Sequence, residues 1–374
     1  MAPILLILCI AFIVWSRSGR HPPPGAPDLR LLDASSFGED TGSGNLLGIQ
    51  THMVSADYAS EERFRRKLEG YLAAARDKGL LCPKTIVVFP EYLGVWLVAA
   101  GEKESVYSAP TIKAATKVLA ASNLLSFLRW LPSARAPRRA DCAVFKMKSR
   151  SMAAIYHRVF SQLAKEHRVT IVAGSIFLPD PQIADGVLLA GNGPLYNVSV
   201  LYAPDGRAQA PPVRKAFPIE EELGYIAAAD PEDIPAFDTP AGRLGILVCA
   251  DSWYPEAYRA LKAQGVEIVA VPSYVSADDR WNAPWSGYDT EGPPPGIAPE
   301  DLQHMTERDA WMAYALPARL PESGARAGIN VFLRGRFWDL GSDGQSLAVL
   351  GPTTHTVPHV DGAALLNLWL PPPP

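Results

Sequence analysis

Between Asn45 and Tyr92 the chain spells out a repeating order that leaves few folds open. "NLLGIQTHM" is a short continuous apolar run, "SEERFRRKLEGYLAAARDKG" carries Phe64, Leu68, Tyr71 and Leu72 at helical spacing before a stop at Gly79, and "KTIVVFPEY" is a second apolar run ending at Pro90. That is a buried strand, an amphipathic helix and a buried strand. The order resumes with a helix around "AAIYHRVFSQLAKEH" and a strand "VTIVAGSIFL", followed by "LYNVSVLYAPDGR", whose alternation and Asp-Gly turn suggest a hairpin. "GILVCAD", "YPEAYRALKAQG" and "VEIVAVPS" give strand, helix and strand again, and "GINVFLRGRF" and "QSLAVLGPTTHTV" add late strands. Alternation of this kind specifies an α/β layered fold.

The ends of the chain differ in composition. Residues 1–20 hold an apolar run from Ala2 to Trp15 closed by Arg17 and Arg20, the pattern of an N-terminal hydrophobic anchor or uncleaved signal. With the positive flank on its carboxyl side, the positive-inside rule leaves the rest of the chain in the cytoplasm; a short export signal is the rival reading. Residues 21–44 are rich in Pro, Gly and polar residues and read as a linker, so the globular domain is expected over 45–374. Within it, residues 95–150 fit the rhythm poorly. Their "NLLSFLRWLPSARAPRRA" interleaves apolar residues with arginines, as an insertion packed on the domain or a segment lying on a membrane would.

Composition excludes several classes. A formal net charge of −4 with no block of like charge gives no footprint for nucleic acid. Cys9, Cys82, Cys142 and Cys249 contain no CxxC pair, and Pro358 breaks the helical geometry that His355 and His359 would need to share a metal. No metal site is expected. "NVS" at Asn197 has the form of a glycosylation acceptor but lies in an apolar strand, which makes it coincidental.

Cys249 stands where an apolar strand gives way to a helix with Pro255 in its first turn. A helix amino terminus favours a thiolate, although inert core packing is the ordinary fate of such a cysteine. Two other strand ends alter its meaning. Glu91 follows the strand "TIVVF", and Lys215 follows the expected hairpin, with Glu220, Glu221 and Glu222 just beyond Pro218. A base, a cation and a nucleophile at three strand ends form the raw material of thiol-based acyl chemistry.

These motifs resemble those of the nitrilase superfamily, the carbon–nitrogen hydrolases: Phe89-Pro90-Glu91, Arg214-Lys215, and Cys249, Asp251, Pro255 and Glu256 in "C-x-D-x-x-x-P-E". The resemblance covers nearly all of the chain from Asn45. It implies a four-layer αββα sandwich that often dimerises, without metal or organic cofactor. It further implies that Glu91 is the general base, Cys249 the nucleophile, and Lys215 with the Ala250 backbone N–H the oxyanion stabilisers. A second glutamate holds the lysine in this family; Glu221 is favoured for it here, with Glu220 next. Asp251 and Glu256 are expected to hold the turn around Cys249. Tyr92, Trp253, Trp281 and Trp285 are candidates for the substrate pocket, the last two from an aromatic loop "RWNAPWSGYDTEGPPPG".

Three functions fit this reading. The first is hydrolysis of a non-peptide carbon–nitrogen bond through a cysteine thioester, on a small-molecule amide ahead of a nitrile. The second is a membrane-associated N-acyltransferase using the same thioester, and the third a non-catalytic tethered scaffold.

Overall fold

The computed structural model describes residues 2–21, 25–288 and 294–372. Two six-stranded sheets carry the architecture. In chain order their strands are β1 (Leu31–Phe37), β2 (Asn45–Gln50), β3 (Thr85–Val88), β4 (Thr170–Val172), β5 (Leu201–Tyr202), β6 (Ala236–Thr239), β7 (Gly242–Ile246), β8 (Ile268–Ser273), β9 (Ala327–Phe332), β10 (Leu347–Leu350), β11 (Thr353–Thr356) and β12 (Ala363–Trp369). The first sheet runs β1-β12-β2-β3-β4-β5 and the second β6-β7-β8-β9-β10-β11. The centre of each is parallel, through β2, β3 and β4 in one and β7, β8 and β9 in the other.

The period-2 alternation of strand side chains sorts the core into layers. Leu46, Ile86, Val88 and Leu366 point into the core between the sheets, while Leu47, Ile49, Val87 and Leu365 point outward. The outward set packs against helix α2 (Glu61–Asp77) and the long helix α5 (Arg139–His167) through Phe64, Leu68, Tyr156 and Phe160. On the second sheet, helices α6 (Pro255–Ala263) and α7 (Leu316–Ser323) cover the outer face with Tyr258, Leu261 and Leu320. The result is a helix, sheet, sheet, helix sandwich. Gly48 sets the approach of the two sheets, since a Cβ there would lie 2.8 Å from Val331 Cγ2 and 2.9 Å from Ile329 Cδ1.

Three expectations are corrected here. The N-terminal helix α1 (Ala2–Arg17) has 16 residues, a length of about 24 Å at 1.5 Å per residue, short of the ~30 Å hydrocarbon core. Among the described residues, no helix is long and apolar enough to cross a membrane. The linker expected over 21–44 is broken by β1, which pairs in parallel with β12 through contacts such as Ala34 with Leu365. A partner more than 300 residues away leaves no local signal. The segment 95–150 is mostly helical, with α3 (Ile112–Ser122), α4 (Leu124–Trp130) and the first turns of α5, which starts at Arg139 instead of near Ala153.

The segment after α1 is fastened to these helices. Arg20 pairs with Glu102 at 3.0 Å, Glu102 also binds Lys148 at 2.7 Å, and Lys103 donates to the carbonyls of Trp15 and Ser18. Beyond this clasp, Ile4, Leu5, Leu6, Ile7 and Leu8 are exposed.

Candidate active site

Each candidate side chain is aimed by a specific departure from regular structure. Glu91 lies just past β3, where Tyr92 takes a left-handed φ of 62° and its N–H donates to Ser175 Oγ at 2.9 Å. The chain therefore turns at once, leaving the carboxylate at the sheet's carboxyl edge, the usual site edge of an α/β fold. Lys215 follows the short strand Val213–Arg214, which pairs antiparallel with Leu195–Ser199. The pairing continues to Lys215 itself, whose N–H donates to the carbonyl of Asn197 at 2.8 Å. The expected hairpin is thus divided: Leu195–Ser199 belongs to a three-stranded sheet with Ile176–Pro179 and Val213–Arg214, and β5 joins the first large sheet.

Cys249 occupies a strained elbow beyond β7, with φ of 50°, at the start of the 3-10 turn Cys249–Trp253. Asp251 holds that elbow. Its carboxylate accepts from Val248 N at 3.1 Å and, across the site, from Ala216 N at 3.0 Å and Phe217 N at 2.9 Å. The residues that follow Lys215 are thereby stapled to the turn that carries Cys249. Glu256 instead pairs with Arg259 at 3.1 Å on α6.

The sequence-predicted residues converge. Lys215 Nζ is 2.9 Å from Glu91 Oε1 and 2.7 Å from Glu222 Oε2, and Cys249 Sγ lies 3.8 Å from the carbonyl oxygen of Tyr274. Asn197 Nδ2 donates to both carboxylates, to Glu91 Oε1 at 2.9 Å and Glu222 Oε1 at 2.8 Å. All five of Glu91, Asn197, Lys215, Glu222 and Cys249 are buried.

The acid beside the lysine is Glu222, where Glu221 or Glu220 was expected. Glu220–Leu223 forms a single helical turn capped at Ile219, and only the third residue of that turn can fold back, as Glu222 Oε2 does to accept Ile219 N at 3.0 Å. Glu220 and Glu221 are exposed. Asn197 was missed altogether. Its signal was its register, two residues before the end of the strand that pairs with Val213–Arg214, and the glycosylation pattern drew attention away from it.

Burial sets the electrostatics. It pushes the Glu91 carboxyl up to about 7; Lys215 pulls the other way and the neighbouring Glu222 adds to the rise. Lys215 is disfavoured as a cation by its burial, yet the charges of Glu222 and Glu91 outweigh that and hold it protonated well above its usual range. The Cys249 thiol is pushed well up by burial and by the Glu91 charge. This reverses the thiolate expected from a helix terminus: burial dominates at the sulfur, and α6 begins only six residues later, at Pro255. Burial thus favours the thiol form of Cys249, with the Glu91 carboxylate beside it.

Two cavities meet at the site and share Ile219, Glu221, Tyr274 and Ser276. One, of about 150 Å³, touches Cys249 and is walled by Tyr288, Trp311, Arg280 and Glu307. The other, of about 240 Å³, touches Glu91 and Tyr92. Tyr92 therefore lines a pocket as expected. Trp253, Trp281 and Trp285 do not: they are buried behind the wall, where Trp253 packs on Tyr288 at 4.7 Å and on Trp311 at 5.1 Å between ring centroids. Bulk apolar rings in a loop favoured the core over the surface of the pocket. Residues 289–293 of that loop lie outside the described residues.

This geometry can be set beside known proteins. Solved structures with the same fold include an amidase from Nesterenkonia sp., with a TM-score of 0.52, 18% identity and coverage of 88% of this chain and 90% of that one. A double mutant of the amidase from Nesterenkonia sp. AN1 in complex with acrylamide gives a TM-score of 0.52 at 17% identity, over 90% and 94% of the two chains. A further mutant of it in complex with butyramide also gives 0.52 at 17% identity, over 88% and 91%. Among curated proteins, the probable hydrolase YhcX of Bacillus subtilis is 28% identical over 117 residues, 31% of this chain and 20% of that protein. The deaminated glutathione amidase of Yersinia enterocolitica is 50% identical over 53 residues, 13% of this chain and 18% of that protein. The matches thus span about a fifth of these curated relatives' length. The carbon–nitrogen hydrolase family model matches residues 49–287, well over half of the sequence, and the chain belongs to the carbon–nitrogen hydrolase family.

Proposed function

We propose that this protein hydrolyses a small-molecule amide through a thioester on Cys249. The observation that carries the reading is the buried convergence of Lys215 and Glu91 at 2.9 Å beside the Cys249 elbow. Glu91, with its carboxyl raised to about 7, takes the thiol proton as the sulfur attacks the amide carbon. The carbonyl electrons move to oxygen, where the Lys215 ammonium and the Ala250 N–H stabilise the oxyanion. Collapse breaks the carbon–nitrogen bond, and Glu91 returns its proton to the leaving nitrogen. Water then loses a proton to Glu91 and attacks the thioester. The carbon–sulfur bond breaks, the acid departs, and the proton returns to sulfur.

In this reading Glu222 and Asn197 are positioning residues. Glu222 gives the ammonium a second carboxylate partner, and Asn197 ties the two carboxylates together. The acrylamide and butyramide complexes of the Nesterenkonia amidase support an amide ahead of a nitrile. The test is ammonia release across an amide and nitrile panel with the wild-type and Cys249→Ala proteins, read alongside intact-mass detection of an acyl adduct. Turnover that persists in Cys249→Ala would overturn the nucleophile.

The proposal extends to location. Helix α1, apolar on all sides and too short to span as a straight helix, is proposed to tether the protein to lipid through its exposed apolar side chains. Pairing of two copies through the sandwich, which the resemblance implies, is read by light scattering.

A further inference from the structure

The larger cavity differs from the small one in chemistry and in origin. Its walls include Trp96, Val106, Leu119, Val144, Phe177 and Trp338, with Glu91 also in the lining. Most of that wall comes from the segment 95–150. On α3, Ile112, Ala115, Thr116 and Leu119 follow one another at helical spacing and line the cavity together; Val144 and Phe145 do so from the start of α5, and Val95, Trp96, Val98 and Ala99 from the 3-10 turn Val95–Ala99. Of the charged lining residues, Arg138 and Asp141 pair at 2.8 Å, and Arg138 also donates to the backbone carbonyl of Glu221 at 3.0 Å. A cavity of 150 Å³ with apolar walls accepts benzene. At about 240 Å³ this one takes a longer hydrocarbon.

We infer that the segment 95–150 builds a hydrocarbon-chain pocket opening on Glu91, and that the substrates are amides bearing an unbranched alkyl chain. The inference rests on the amidase reading and names its substrate class. The polar cavity at Cys249 holds the carbonyl end, and the chain occupies the apolar cavity beside Glu91. Either the acyl side or the nitrogen side of the amide can supply the chain.

The experiment measures kcat/KM for straight primary amides from acetamide to dodecanamide and for the matching N-alkylacetamides. Binding of the same compounds to Cys249→Ala is followed by calorimetry. In the series that enters the pocket, kcat/KM and affinity rise about fourfold per methylene until the cavity is full, since each buried methylene is worth about 0.8 kcal/mol. The series with the slope identifies the side that carries the chain. Ala115→Phe and Thr116→Leu each fill part of the cavity, and at least one, verified as folded by circular dichroism, lowers the octanamide-to-acetamide ratio tenfold or more. Equal kcat/KM for short and long chains in both series overturns the pocket and leaves the amidase reading standing. Absence of turnover and of any Cys249 adduct overturns the amidase reading, whereas chain-dependent binding to Cys249→Ala would still support the pocket.

Discussion

The ammonium of Lys215 sits 2.7 Å from Glu222 Oε2, nearer than the 2.9 Å that separates it from Glu91. Two carboxylates share one buried cation, so the charge on either governs the proton affinity of the other. Glu222 raises the Glu91 pKa. Glu222→Gln removes that repulsion, and the acid limb of kcat/KM moves to lower pH while kcat falls. A limb that stays in place would show that Glu222 acts only in packing. Lys215→Met, which removes the oxyanion donor itself, is expected to cost on the order of 10²–10³ in kcat.

The wild-type pH profile follows from the same carboxyl. Glu91 accepts a proton only when ionised, and its pKa is near 7, so kcat/KM rises with unit slope as pH increases toward about 7 and levels above it. Stopped-flow or ammonia-release rates between pH 5 and 9 read this directly. A limb near the ordinary carboxylate range would contradict the assignment of Glu91 as base.

Asn197 supplies the opposite shift. Its amide bridges Glu91 and Glu222, and Asn197→Asp places a third anion between them, which drives the Glu91 limb to higher pH. Because Asn197 is fully buried, intact mass of protein from a glycosylating host is expected to show no glycan at this position.

Asp251 contributes stability. Three backbone N–H groups depend on its carboxylate, and Asp251→Ala leaves Val248, Ala216 and Phe217 without it. A loss of about 3 kcal/mol in urea unfolding is expected, with Asp251→Asn costing less. An Asp251→Ala protein as stable as wild type would show that other contacts hold the elbow.

Helix α1 gives a prediction about membranes. The 374-residue chain is expected to float with lipid vesicles and a chain lacking residues 2–17 to stay at the bottom of the gradient; equal flotation of the two would overturn the tether.

What was legible in the sequence was what local order encodes. Glu91 and Cys249 each follow an apolar strand and Lys215 stands in the Arg214-Lys215 pair, so their neighbours announced them. Glu222 was hidden among three identical residues, where the choice depends on which position of one helical turn can reach its own cap. Asn197 was hidden because its importance comes from cross-strand register with Lys215. Trp281 and Trp285 were assigned to the pocket on their aromatic character, but a sequence does not say which side of a wall a ring faces. The segment 95–150 broke the strand and helix rhythm because it forms a wall of the cavity, outside the layers.

The position of β12 has a consequence for how the chain acquires its form. Residues 363–369 are threaded between β1 and β2, so strand β1 has no neighbour to pair with in this sheet until those residues have been synthesised. Closure of that sheet joins segments more than 300 positions apart, a slow, high-contact-order event. During translation the edge of β2 stands open, and β12 is the strand that ends this exposure.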